Sequence, residues 1–148
     1  MLIVLLGACN KEKRYSEKLD KGQKWTVTDI QVDGVSLGIS STWDIHAEDI
    51  YKTVPTLDWK LIGTTEEKIE ATICEWQFQE KGKKFRLNYL HQSHDMDGDQ
   101  LEDLDYVAFN LTGTYDVIEH KRKRMAFESN ETFFYPGQKV KIEVERIK

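Results

Sequence analysis

Residues Ala71–Leu90 read ATICEWQFQEKGKKFRLNYL, and the alternation inside this stretch decides the fold. Cys74, Trp76 and Phe78 alternate with Glu75, Gln77 and Gln79, the period-two pattern of a strand with one buried and one wet face. Glu80-Lys81-Gly82-Lys83 interrupts the alternation as a turn. Beyond it, Phe85, Leu87 and Tyr89 fall on one face and Arg86 and Asn88 on the other, so both strands place aromatic side chains on the same side of one sheet. A lone hairpin is only marginally stable in water. The pattern therefore predicts further strands to cover its apolar face.

Those strands are legible on both sides. Lys24–Val32, KWTVTDIQV, is rich in β-branched residues and ends at the turn signal Asp33-Gly34. Residues Asp58–Gly63, DWKLIG, alternate Trp59 and Leu61 with polar neighbours. Toward the carboxyl terminus, Met125 and Phe127 mark a strand, Pro136-Gly137 a turn, and Val140, Ile142 and Val144 the inward face of a last strand running to Ile147. Val107, Phe109, Leu111, Tyr115 and Val117 share one parity through Gly113, which predicts one long strand over Tyr106–Glu119, bent or bulged at the glycine. Ser41-Thr42-Trp43-Asp44 has the form of a helix start, and Trp43, Ala47, Ile50 and Val54 recur at helical spacing before Pro55, predicting one short helix over Thr42–Thr53. The expected fold class is mainly β: an antiparallel up-and-down β-barrel or sandwich of seven to eight strands with one short helix.

The 148 residues, 39% hydrophobic with two prolines, fit one domain with one core. A net charge of -5 and a pI near 5.4 argue against nucleic acid as a general partner, which requires a basic face to neutralise phosphates. One run, Lys121-Arg122-Lys123-Arg124, is locally basic. It reads as a solvated turn or edge, with phosphate or lipid headgroups as the rarer alternative.

The chain begins MLIVLLGAC and turns abruptly polar at Asn10-Lys11-Glu12-Lys13-Arg14, which has the form of a targeting label rather than a core element. Leu6-Gly7-Ala8-Cys9 resembles the lipobox of bacterial lipoproteins, in which small residues precede a cysteine that becomes acylated. That resemblance implies a signal peptide over residues 1–8, with Cys9 as the lipidated first mature residue and palmitate-type chains as its membrane anchor. It further implies a flexible charged tether over 9–22, a β domain over 23–148 and a bacterial cell-envelope location, with Asn10 favouring the outer membrane. The apolar run is shorter than the ~7–15 residues of a usual signal core and lacks a preceding cation; a signal starting upstream of Met1 would supply both. No other segment approaches the ~20 apolar residues needed to span a bilayer. With Cys9 acylated, Cys74 is left without a disulfide partner, as a buried thiol in register with Trp76.

Gly22-Gln23-Lys24-Trp25 opening the first strand, the up-and-down strand order and the closing strand Val140–Ile147 look like the lipocalin, or calycin, group, over about residues 22–148. By that resemblance a basic residue on the last strand packs over the tryptophan, a part open to Arg146, and the barrel binds a small apolar ligand. The matching pocket would be lined by Trp76, Phe78, Phe85, Tyr89, Phe109, Tyr115 and Phe127. The alternative is that these side chains simply fill the core, leaving a structural or protein-interaction lipoprotein that works through its surface. Two resident-metal arrangements are weighed as well. Asp95-Met96-Asp97-Gly98-Asp99 opens like a calcium loop, with Glu102 and Asp103 as further oxygen donors, although Gln100 and Tyr106 break the helix-loop-helix pattern. His91 and His94 with a carboxylate are the zinc alternative. The chain has no nucleophile elbow, phosphate loop, HExxH or CxxC, so the sequence gives no positive sign of an enzyme.

Overall fold

A computed structural model describes residues 2–22, 24–46, 55–61, 71–92 and 103–147. The chain opens with helix α1 (Leu2–Gly22) and continues through β1 (Lys24–Val32), β2 (Val35–Ser36), β3 (Ser41–His46), β4 (Thr56–Leu61), β5 (Ala71–Gln79) and β6 (Lys84–Gln92). Helix α2 (Asp103–Asn110) then leads into β7 (Gly113–His120), β8 (Arg124–Glu131) and β9 (Pro136–Arg146). Apart from the two-residue β2, each strand pairs antiparallel with the next, and β1 pairs with both β3 and β9. The sheet therefore closes on itself as an eight-stranded up-and-down barrel, with β2 as one added strand. Closure removes the free edges that an open sheet would expose to aggregation.

The hairpin that predicts the fold is β5–β6. Its register sets Trp76 opposite Leu87 and Phe78 opposite Phe85, and all four are buried. The turn at Glu80–Gly82 is left-handed, with positive φ at Glu80, Lys81 and Gly82. The register shift falls between Ile73 and Cys74, beyond the Cys74–Tyr89 pair, so Tyr89 keeps the alternation of Phe85 and Leu87, and its half-buried side chain packs against the core.

Inward-facing aromatic residues of adjacent strands stand in register. Trp25 on β1 is opposite Trp43 on β3, and Trp43 is opposite Trp59 on β4, so three indoles form one row across the barrel wall, all fully buried. Rows of this kind suit a pleated surface, where directly opposed side chains have Cβ atoms about 5 Å apart. Three of the four tryptophans also satisfy their N–H: Trp25 donates to the Leu19 carbonyl (2.8 Å), Trp59 to Ser41 Oγ (2.8 Å) and Trp76 to the Thr56 carbonyl (2.9 Å).

Three expectations are corrected. Ser41–His46, taken as a helix start, is strand β3, because Ser41, Trp43 and Ile45 also alternate and pairing on both sides, with β1 and β4, outweighs the local capping signal; residues 47–54 of that expected helix lie outside the described residues. The long strand over Tyr106–Glu119 is instead α2 followed by β7. Val107 and Leu111 are four apart as well as equal in parity, and Ala108 and Leu111 are fully buried, so the helical period wins until Gly113. Finally, residues 9–22 are not a flexible tether. They continue helix α1, whose second half packs on the barrel.

Candidate functional site

The expected pocket residues divide into two groups. Trp76, Phe78, Phe85, Tyr115 and Phe127 converge inside the barrel and are 0–2% exposed. Phe85 stacks on Phe127 with ring centroids 4.3 Å apart, and Phe78 packs against Phe85 at 5.0 Å. The Tyr115 hydroxyl donates to the Leu111 carbonyl at 2.5 Å, and burial pushes its pKa well up. A void large enough for water beside these rings would appear as exposed surface on them, and they have essentially none. Ligand pockets run to ~300–1,000 Å³; a half-open pocket of about 70 Å³ on the β5–β6 hairpin is lined by Glu75, Gln77, Arg86 and Asn88 together with Trp76. Among the described residues three buried side-chain polar atoms have no hydrogen-bond partner: Trp43 Nε1, His120 Nε2 and Thr132 Oγ1.

Phe109 lies at the surface, and Tyr89 joins it to the core. Phe109, on α2, is 42% exposed and meets Tyr89 at 5.6 Å and Phe133 at 4.7 Å, both edge to face. Phe133 and Phe134, just past β8, are more than half exposed, and their backbone N–H groups donate to the carbonyls of Thr112 and Asn110. Three exposed phenylalanines thus gather where α2 meets β7 and β8. Scattered exposed apolar residues are normal, whereas a cluster marks an interaction surface. Sequence reasoning missed this cluster. The signal was the run Phe133-Phe134-Tyr135, since consecutive side chains of an extended segment cannot all face one core.

The opposite end of the barrel is closed by α1. Leu19 is fully buried, and the Tyr15 ring lies flat on His120 (3.5 Å between centroids, 10° between planes) and edge-on to Phe78 at 5.6 Å. Glu12 Oε1 accepts the Lys81 N–H at 2.7 Å, placing a carboxylate on the left-handed turn. Arg146, in register with Trp25, donates to the Lys21 carbonyl in the last turn of α1. Tyr15 and Leu19 are four residues apart in an otherwise polar stretch, and that spacing was the available sign of a docked helix.

Burial, with the positive charge of Lys18, lowers the His120 pKa to about 4. The neutral form is therefore the one held against Tyr15, and an unfolded chain binds a proton more readily between about pH 4 and the ordinary 6.5. The stability contributed by His120 is complete above about pH 6.5 and falls as pH drops through that window. His120→Phe keeps an aromatic ring without a titrating group and should show a shallower fall in melting temperature between pH 7 and pH 4.5. Equal slopes in the two proteins would remove His120 as the cause.

Of the expected calcium donors, Asp95, Asp97, Asp99 and Glu102 lie outside the described residues, and Asp103 begins α2. Among the described residues no three His, Cys, Asp or Glu side chains are grouped to hold a metal. His91 is at the end of β6 and His94 lies outside. Cys74 is buried and in no disulfide, and Cys9 lies in α1. No described helix is long and apolar enough to cross a membrane. Comparison of the chain with protein-family models, curated proteins and solved structures gave no match.

Proposed function

We propose that this is a lipid-anchored cell-envelope protein, held through acylated Cys9, whose barrel works through its outer surface rather than by enclosing a small apolar ligand. The observation that carries the second half is the interior itself: five of the seven expected pocket side chains are 0–2% exposed and in contact with one another. The lipid anchor rests on Leu6-Gly7-Ala8-Cys9 followed by a polar segment. A protein partner at the Phe109–Phe133–Phe134 cluster, pointing away from the α1 end, is the surface role that suits this geometry.

Intact mass measurement of the protein extracted from its native membrane tests both halves. The expected species is a chain starting at Cys9 with added acyl mass and no retained small molecule. A stoichiometric apolar ligand would restore the lipocalin-like binding reading. Cys9→Ser should move the folded protein into the membrane-free fraction after a high-salt wash, because two or more acyl chains at ~0.8 kcal/mol per buried methylene are what hold such a domain when charge is screened. Unchanged membrane retention discards the lipid anchor. A photo-crosslinking side chain at position 134 should give a discrete protein adduct that the same group at exposed Arg86 does not; identical adducts from both would remove the cluster as the docking surface.

A further inference from the structure

We infer that the α1-closed end of the barrel is a docking surface for anionic lipid headgroups, independent of any acylation. The β7–β8 turn presents Lys121, Arg122 and Lys123, all exposed, and the β5–β6 turn presents exposed Lys81 and Lys83. Tyr15 of α1 bridges these turns, stacking on His120 beside the first and covering Gly82 in the second. The helix adds exposed Arg14 and Lys18 to the same end.

Two of the acidic groups nearby, among the described residues, are engaged. Glu119 is paired with Lys121 (3.5 Å) and Arg124 (3.6 Å), and Glu12 is bound to the Lys81 N–H. Glu17, Asp20, Glu80 and Glu145 remain as the countercharges at this end. Among the described residues Arg122, Lys123, Lys81 and Lys83 make no ion pair within the chain. A chain of net charge -5 therefore gathers exposed cations at one end. Such a distribution orients the molecule end-on to a negative surface even though its total charge is repelled.

Two observations select lipid over nucleic acid. Cys9 and the apolar residues before it belong to the same helix, so an apolar group, whether acylated Cys9 or the uncleaved segment, leaves the protein from the basic end, and a cationic patch beside an apolar anchor is the pairing that holds proteins at membrane surfaces. Single-stranded nucleic acid instead calls for free aromatic faces among the cations. At this end the rings of Tyr15 and His120 are spent on each other.

The test uses the full chain carrying Cys9→Ser, so that no acyl chain contributes. Flotation is measured with phosphatidylcholine vesicles and with vesicles containing about 30 mol% phosphatidylglycerol. Binding to neutral vesicles reports the apolar segment alone. Anionic vesicles should bind substantially more protein, and raising salt from about 50 to about 300 mM should erase most of the difference. Reversing Lys121, Arg122 and Lys123 to Glu should cost roughly a hundredfold in affinity for anionic vesicles and leave neutral binding unchanged. Reversing Lys139, near the start of β9 and so at the other end of the barrel, should change neither. Equal binding to both vesicle types, insensitivity to the triple reversal, or tighter binding to a DNA duplex than to anionic vesicles would each overturn the inference. Failure of Cys9 to be acylated would leave it standing.

Discussion

Trp76→Ala is expected to destabilise the barrel by about 3–5 kcal/mol, the range for removing a buried indole, and to lower the melting temperature by roughly 6–20 °C at ~2–4 °C per kcal/mol for a chain of this size. Trp76 is 1% exposed, stacks near Phe85 at 6.4 Å, and donates its N–H to the Thr56 carbonyl. The neighbouring side chains come from strands fixed by ladders on both sides, so they cannot collapse far into the space left behind. Trp76→Phe separates the contributions: most apolar contact remains, but the Thr56 carbonyl loses its donor, for about 1–3 kcal/mol. Trp43→Phe is the control. Its indole N–H has no acceptor to lose, so it should cost less than Trp76→Phe despite equal burial. Chemical denaturation of the three variants decides the matter, and a Trp76→Ala change below ~0.5 kcal/mol, the usual size of a surface effect, would put this side chain outside the barrel.

How much was legible follows the physics of each segment. The β5–β6 hairpin was readable because one period alone describes it, and a one-residue slip would have moved every apolar side chain into water. Even there, the irregularity between Ile73 and Cys74 was invisible, although Tyr89, paired with Cys74, keeps the parity of Phe85 and Leu87. Residues 41–46 and 103–111 failed for a shared reason. Trp43 with Ala47, and Val107 with Leu111, satisfy helical and strand spacing at once, and the sequence contains no local term that weighs pairing with two distant strands against a cap. Docking of α1 was missed differently. Its polar composition resembles a linker, and only Tyr15 and Leu19 report that one face has a destination. The candidate pocket was legible as a set of inward residues, but sequence parity states which way a side chain points and nothing about whether space remains at the centre.

Gly82 is where the contact between α1 and the barrel can be tested without touching the helix. Its φ of +81° lies in the left-handed region, and a Cβ added there would stand 2.6 Å from Cδ2 and 2.7 Å from Cε2 of Tyr15. The first effect costs an L-residue about 1–2 kcal/mol wherever it occurs. The second depends on whether the ring can retreat. It is held between a flat stack on His120 and an edge contact with Phe78, so overpacking of about 1–3 kcal/mol is expected on top of the backbone strain. Gly82→Ala should therefore lose about 2–5 kcal/mol, with amide exchange in α1 accelerating before exchange in the barrel strands. In a Tyr15→Ala background the steric part vanishes and only the backbone part remains, giving a coupling of roughly 1–3 kcal/mol between the two positions. An equal cost for Gly82→Ala in both backgrounds would mean that Tyr15 does not cover the turn. In that event α1 would not close this end of the barrel, and the Lys81 N–H would be left to water rather than to Glu12.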